Sequence, residues 1–305
     1  LVANAINIPI FSNDERALIG KIYTKISQEK AIEKGVELFS HKLPSFMHEI
    51  NKYKGKELLI YCWRGGMRSR TVVALLEALG YPAQQIKGGY KEYRAYVNER
   101  LANYQLKPKL IVLWGLTCTG KSELLHHFPN SLDLEDLAQH RGSLYGRIGL
   151  TPRTQKQFEN LLLQKLDALN EEKYMVVEGE SRTIGDVQIP PFLYKAMRGG
   201  IAVRVHRTLD KRAEYAVRRY FSSQDDLEKI KEVTKTLWKV ISRKNKQKVL
   251  ELLEKKEYIE AAKILLEFYY DPLYGHTLRK INYAFEIDND EEGKAVKGIK
   301  GMMLG

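Results

Sequence analysis

The chain has 305 residues, 44% of them apolar and 29% charged, with a formal net charge of +12. That length predicts two domains, each able to bury a core, and no apolar run approaches the roughly 18 residues of a membrane helix. A surplus of positive charge favours an acidic partner, nucleic acid or a phosphorylated substrate, with plain solubility as the alternative.

No secretory signal is visible. The two cysteines, Cys62 and Cys118, lack metal-ligand spacing and form no disulfide framework. A reducing, cytoplasmic setting without a membrane partner is the expectation.

In chain order, Ala5 to Ile10 reads as a short strand. Glu15 to about Phe39 reads as a helix broken near Gly35, and Phe46 to Lys52 as another helical piece. Strands at Glu57–Tyr61 and Gln84–Ile86 flank a helix over Ser69–Leu79, and Tyr90–Leu106 is helical. Pro108 marks a seam. Beyond it, strands at Lys109–Trp114, Tyr174–Val177 and Ala202–Val205 alternate with helical stretches, and a charged helical region runs from Lys211 to about Leu266, ended by Asp271-Pro272. Such alternation predicts α/β domains with parallel sheets. The expected division is 1–106, then 107–285 with C-terminal helices, then a fraying tail over 286–305.

The run Tyr61-Cys62-Trp63-Arg64-Gly65-Gly66-Met67-Arg68-Ser69-Arg70 sits between a strand and a helix. Two glycines let the amides curl inward, and the helix start and arginines favour negative charge. Cys62 is therefore a candidate thiolate, with Arg64 and Arg68 beside it. Five residues separate Cys62 from Arg68, a spacing that suits sulfur or selenium transfer and also phosphate-ester chemistry.

A second anion loop, Gly115-Leu116-Thr117-Cys118-Thr119-Gly120-Lys121-Ser122, satisfies G-x-x-x-x-G-K-[ST] after a strand and before a helix. Its amides, with Gly115, Thr117, Thr119 and Gly120, would cradle a diphosphate, Lys121 would reach the outer phosphate, and Ser122 would ligate Mg²⁺ if that ion is used. Cys118 reads as a space-filling residue. Glu178 and Glu180 share a face after the second strand and could hold Mg²⁺, while Arg182 could clamp phosphate; a strand-end ion pair is the alternative. His140 and Arg141 lie in a glycine-punctuated loop of polar donors that could equally be bare surface. Spacing alone predicts a kinase or NTPase for this half, and a kinase or NTPase fused to a sulfurtransferase is one reading of the whole.

The Cys62 loop resembles that of rhodanese domains. Taken with Asn7-Ile8-Pro9, Asn13-Asp14-Glu15-Arg16 and Lys87-Gly88-Gly89-Tyr90-Lys91, it looks like the rhodanese half of the tRNA 2-selenouridine synthase family. The P-loop, His140-Arg141-Gly142-Ser143, Gln155-Lys156, Phe158-Glu159, Glu180-Ser181-Arg182, Ile184-Gly185 and Arg218-Arg219-Tyr220 resemble its second half.

The resemblance implies a rhodanese-like parallel sheet, here lacking the strand that precedes Asn-Ile-Pro, plus a P-loop NTPase-like α/β domain with a helical C-terminal extension. It implies Cys62 as the catalytic cysteine. It also implies conversion of wobble 2-thiouridine to 2-selenouridine through an S-geranyl intermediate, from geranyl diphosphate and selenophosphate and without a bound prosthetic group. The implied partners are tRNAs with Lys, Glu and Gln anticodons and an enzyme that supplies selenophosphate.

Arg212, Arg218 and Arg219 cluster beyond the third strand, and Lys239, Arg243 and Lys244 follow on the helices. These are candidate phosphate-backbone contacts, or else a solvated helical face. Tyr220, Tyr269, Tyr270 and Tyr274 could stack on bases or simply pack. A non-catalytic RNA-binding protein is the third reading.

Overall fold

The computed structural model describes residue 2, residues 5–221 and residues 223–304. They form two compact units, 1–99 and 100–305.

In the first unit, α1 (Asn13–Lys25) begins at Ser12, whose hydroxyl accepts from the Glu15 amide while the Glu15 carboxylate accepts from the Ser12 amide. This reciprocal cap fixes the helix start. A second cap, Ser27, opens α2 (Gln28–Asn51). The expected break near Gly35 is thus displaced to residues 26–27, and α2 continues through Pro44 to absorb the separate piece expected at 46–52. Then come β1 (Leu58–Ile60), α3 (Met67–Ala78), β2 (Ala83–Gln85) and α4 (Gly89–Ala102).

β1 and β2 pair in parallel. Residues 5–10 carry no strand ladder, contrary to the expected strand. Instead Ile8 and Ile10 pack on the core of Phe46, Ile50, Val72, Val73, Leu76 and Ala83.

The second unit starts earlier than Pro108. The Arg100 guanidinium pairs with Asp167 at 2.7 Å, and Asn170 bonds the Lys107 amide and the Gln105 carbonyl, both at 3.1 Å. These ties bind residues 100–107 to the far end of a helix over Gln155–Leu169. The elements are β3 (Lys109–Trp114), α5 (Lys121–Leu125), β4 (Ser131–Leu132), α6 (Leu134–Ala138), α7 (Gln155–Leu169) and β5 (Tyr174–Glu178). The small hairpin β6 (Thr183–Ile184) and β7 (Val187–Gln188), α8 (Pro191–Gly199) and β8 (Ile201–His206) come after them.

Next is the helical extension: α9 (Leu209–Tyr220), α10 (Gln224–Thr236), α11 (Arg243–Glu254) and α12 (Tyr258–Leu265). A π-helical turn at Leu266–Tyr270 leads into α13 (Asp271–Leu278). Asp271-Pro272 therefore does not end the region: it follows the π turn directly, inside a helical run that continues to Leu278.

The main sheet has the order β4-β5-β3-β8-β9, where β9 is Phe285–Asp288, and every pair in it is parallel. Residues 110–114 are buried throughout, as a central parallel strand covered on both faces requires. The order reverses around β3, so the carboxyl end of β3 is the topological switch point where ligands of such sheets bind.

The C-terminal segment corrects the expected fraying tail at 286–305. β9 closes the sheet edge, and α14 (Glu292–Leu304) buries Ala295, Val296 and Ile299 against Ile111, Leu113, Val203 and Val205. The helical extension has its own core around Leu227, Ile230, Val249, Leu253, Leu265 and Tyr270. No helix among the described residues is long and apolar enough to cross a membrane.

Candidate functional site

Two sites arise, one in each unit. In the first, β1 ends just before Cys62 and α3 starts at Met67, so the loop between them faces the helix start. Gly89 is required by crowding: a Cβ there would lie 2.3 Å from the Cys62 carbonyl oxygen. That close approach lets the Tyr90 and Lys91 amides donate to the carbonyls of Cys62 and Trp63, both at 2.9 Å.

The Cys62 Sγ accepts a hydrogen bond from the Ser69 hydroxyl at 3.2 Å. Gln85 on β2 donates to Ser69 Oγ at 2.8 Å and to the Gly65 carbonyl at 2.7 Å. Burial raises the thiol's proton affinity. The Ser69 hydroxyl and the amides of Ser69, Gly66 and Arg64 outweigh it, so Cys62 titrates below an ordinary thiol.

Cys62 opens onto a groove of about 660 Å³ that also exposes Asn7, Arg16, Tyr61, Trp63 and Arg68. Arg68 thus stands at the groove, while Arg64 is exposed and does not line it. Sequence alone does not single out Ser69 and Gln85. Their polar pair is visible only once β2 is laid beside β1.

In the second unit, β3 feeds the Gly115–Gly120 loop at the switch point. Cys118 and Gly120 adopt left-handed backbones, at φ 66° and 83°. A Cβ on Gly120 would lie 2.5 Å from the Asn289 amide nitrogen. Asn289, fully buried, donates to the Thr119 carbonyl at 2.8 Å, so the end of β9 braces the loop. Lys121 Nζ bridges the carbonyls of Gly115 at 3.1 Å and Leu116 at 3.3 Å. Its ammonium thereby lies across the loop's mouth.

Ser122 Oγ is 3.0 Å from Glu178 Oε2 and 3.1 Å from Glu135 Oε2. One hydroxyl carries one proton, so both contacts are hydrogen bonds only if a carboxyl donates. The electrostatics agree. Burial raises Glu135 against the pull of Arg219 and Lys121, burial and the Glu135 charge raise Glu178, and burial with the Glu135 charge pushes Glu180 up to about 8. Oxygen atoms of the three carboxylates lie within 4.8 Å of one another. Hard, crowded oxygens beside a hydroxyl and a lysine fit a divalent cation of the Mg²⁺ type. Sequence reasoning does not find Glu135; the only signal is an acidic cap, Asp133 to Asp136, opening a helix after a short strand.

The cleft beside this loop has a volume of about 380 Å³. Gly115, Thr117, Gly120, Lys121, Ser122, Glu180 and Arg141 line it, together with Trp114, Tyr194 and Tyr274. Thr119 is buried behind the loop and bonds the Leu116 carbonyl. Arg141 lies over the Tyr220 ring and bonds the Ile148 carbonyl at 2.6 Å. His140 and Arg182 do not line the cleft. The His140 ring is wedged where Cβ atoms on Gly146 or Gly185 would collide, and burial lowers its proton affinity; Arg182 is exposed. Burial raises the Cys118 thiol to about 11, which suits a filler and not a nucleophile.

Among the basic residues, Arg212 requires correction. It is buried, donating to the Thr117 carbonyl at 2.9 Å and paired with both carboxylate oxygens of Asp271. It braces the anion loop from behind and cannot meet a nucleic acid. Arg219 faces Glu135 at 3.1 Å and lines the cleft, so it belongs to the anion site and not to an outer surface. Arg218 is exposed and paired with Glu123. Lys239, Arg243 and Lys244 are exposed on the helical extension. Of the tyrosines that could either stack on bases or pack, Tyr269, Tyr270 and Tyr274 pack on one another, with the Tyr270 ring centroid 5.2 Å from that of Tyr269 and 6.4 Å from that of Tyr274, and Tyr220 lies under the Arg141 guanidinium.

Fold and sites together define an α/β enzyme with a P-loop domain and a separate thiol loop. Residues 108–244 match the family model for the tRNA 2-selenouridine synthase AAA domain. The chain is 31% identical over 336 residues to the tRNA 2-selenouridine synthase of Nitrosomonas europaea, covering 92% of this chain and 87% of that one. It is 30% identical over 317 residues to the enzyme of the same name from Hahella chejuensis, covering 90% and 81%. With that of Pseudomonas syringae pv. tomato it shares 36% over 221 residues, covering 68% and 58%. The chain belongs to the tRNA 2-selenouridine synthase family.

Proposed function

We propose that this enzyme converts wobble 2-thiouridine of tRNA to 2-selenouridine in two steps divided between its two loops. In the first, the thiocarbonyl sulfur takes the geranyl group from geranyl diphosphate: a C–S bond forms, a C–O bond breaks, and diphosphate and the N3 proton leave. In the second, selenium from selenophosphate takes C2, geranylthiol leaves, and water takes the phosphoryl group as phosphate.

The observation that carries the first step is the juxtaposition at the P-loop cleft. Lys121 and the amides of residues 115–120 suit a diphosphate. An apolar chamber lined by Tyr145, Ala216, Phe221 and Ile230 shares Thr117, Cys118 and Tyr220 with the cleft; its volume of about 40 Å³ is below the roughly 150 Å³ that holds a benzene ring, so a geranyl tail would have to widen it on entry. Phosphate-binding and greasy surfaces side by side suit a prenyl diphosphate better than a nucleotide. Glu135, Glu178, Glu180 and Ser122 would hold a divalent cation, which would stabilise charge on the leaving diphosphate.

The rhodanese-like loop carries the second step. Its inward amides, Arg68 and a thiolate-prone Cys62 suit selenophosphate beside a nucleophile. The substrate tRNAs are those with Lys, Glu and Gln anticodons, and an enzyme making selenophosphate is the metabolic partner. All of this chemistry belongs in the cytoplasm.

Incubation with 2-thiouridine tRNA, geranyl diphosphate and selenophosphate, read by nucleoside mass analysis, tests the proposal. Geranylated and then selenated nucleoside is expected; the absence of both would overturn it. A nucleotide-hydrolysing reading, favoured by the complete P-loop on a parallel sheet, requires rapid ATP hydrolysis without tRNA.

A further inference from the structure

Outside both sites, the connection between α10 and α11 displays an indole to solvent. Trp238 is 70% exposed, whereas its flanks Leu237 and Ile241 are 3% and 6% exposed and anchor the connection in the helical core. The connection is built, not slack. Lys246 Nζ donates to the carbonyls of Lys235 at 3.2 Å and Leu237 at 3.0 Å, and the Val240 amide donates to the Trp238 carbonyl at 2.9 Å. Lys239 holds a left-handed backbone at φ 71°, which costs a non-glycine residue. Its ammonium lies 4.2 Å from the Trp238 ring centre. Two buried anchors, a lysine clamp and a strained residue all hold the largest apolar side chain in water, where burial would have been favourable.

The surrounding charge names the kind of partner. From residue 233 to residue 250 the chain carries Lys235, Lys239, Arg243, Lys244, Lys246 and Lys248 and no acidic residue. Lys235, Lys239, Arg243 and Lys244 are exposed. An isolated indole inside a purely basic segment is the chemistry of a stacking platform on a polyanion: the ring covers an unpaired base and the lysines meet flanking phosphates.

The geometry points to Trp238 as a base-stacking contact for the RNA substrate, with Lys239, Arg243 and Lys244 on the adjoining phosphates. This rests on the reading that tRNA is the substrate. It supplies the aromatic contact for which Tyr269 and Tyr270 are unsuited, because those two are packed together.

The test measures dissociation constants for 2-thiouridine tRNA with the full chain, Trp238→Ala and Trp238→Phe. Stacking predicts a loss of roughly 5- to 150-fold for the alanine variant, with most affinity regained by phenylalanine. Lys244→Ala should lower the slope of log affinity against log salt by about one. In a Trp63→Phe, Trp114→Phe background, the remaining Trp238 fluorescence should be quenched on tRNA addition. Unchanged affinity in Trp238→Ala, or no quenching, overturns the inference while leaving the tRNA reading intact. Failure of the parent chain to bind tRNA overturns both. Phosphatidylglycerol vesicles serve as the competing polyanion, and vesicle binding that depends on Trp238 while tRNA binding does not would also overturn it.

Discussion

Replacing Ser69 by alanine isolates the side-chain contact that lowers the proton affinity of Cys62. The Ser69 hydroxyl is the one side-chain donor to Cys62 Sγ among the described residues, at 3.2 Å, and it is oriented by Gln85 at 2.8 Å. A hydrogen bond to a charged group is worth about 1.5–3 kcal/mol, and the half-buried position of the thiol, where water screens the charge, puts this one at the weak end. We take the lower figure, which corresponds to about one pKa unit. The amides of Ser69, Gly66 and Arg64 remain, so the variant thiol should rise by that unit and no further.

The assay is the rate of reaction with a pyridyl disulfide as a function of pH. At any pH below the titration of both thiols the variant has about tenfold less thiolate, but each thiolate is intrinsically more nucleophilic (Brønsted coefficient about 0.4–0.5). The net loss is therefore roughly threefold, and the rate at high pH exceeds wild type. Gln85→Ala should shift the profile in the same direction by less. Cys118, raised to about 11 by burial, supplies an unreactive internal control. A Ser69→Ala profile superimposable on wild type would refute the relay.

The second unit offers two more tests. Ile299→Ala should destabilise the unit by about 2–4 kcal/mol in denaturant unfolding, since Ile299 is fully buried under the sheet; a change within about 0.5 kcal/mol would mean that α14 is dispensable. Glu135, Glu178 and Glu180 bind protons more tightly folded than unfolded, so between the ordinary carboxyl range and about pH 8 their contribution makes stability fall as pH rises. Mg²⁺ must displace those protons, so its stabilisation in thermal melts should be small at pH 6 and larger at pH 8.5, and absent in Glu178→Gln. A pH-independent shift, or one retained in that variant, would contradict the cation site.

Much of this architecture is legible in the sequence because its signals are local. A strand, a glycine-punctuated turn and a helix start are contiguous in both loops, so Cys62 and Lys121 stand out before any coordinate is known. Long-range features are not legible. Glu135 reaches Ser122 only because β4 lies beside β5, and Asn289 braces Thr119 from 170 residues away.

Arg212 illustrates the limit of reading charge. In sequence it belongs to a basic cluster; in the fold it is buried, and Asp271 and the Thr117 carbonyl engage three of its five N–H groups. The tail reads as frayed because glycines and lysines mask its periodicity. Ala295, Val296, Ile299, Met302 and Met303 nevertheless recur at helical spacing and pack on one core. Trp238 is hidden in the sequence because the lysines around it read as a solvated face.

Division of the two steps between the two loops is tested most directly by supplying tRNA already carrying S-geranyl-2-thiouridine, together with selenophosphate, to Lys121→Ala and Cys62→Ser variants. If the loops act separately, Lys121→Ala yields 2-selenouridine at close to the wild-type rate and Cys62→Ser yields none. Selenation by Cys62→Ser, or its loss in a folded Lys121→Ala protein, would contradict that division.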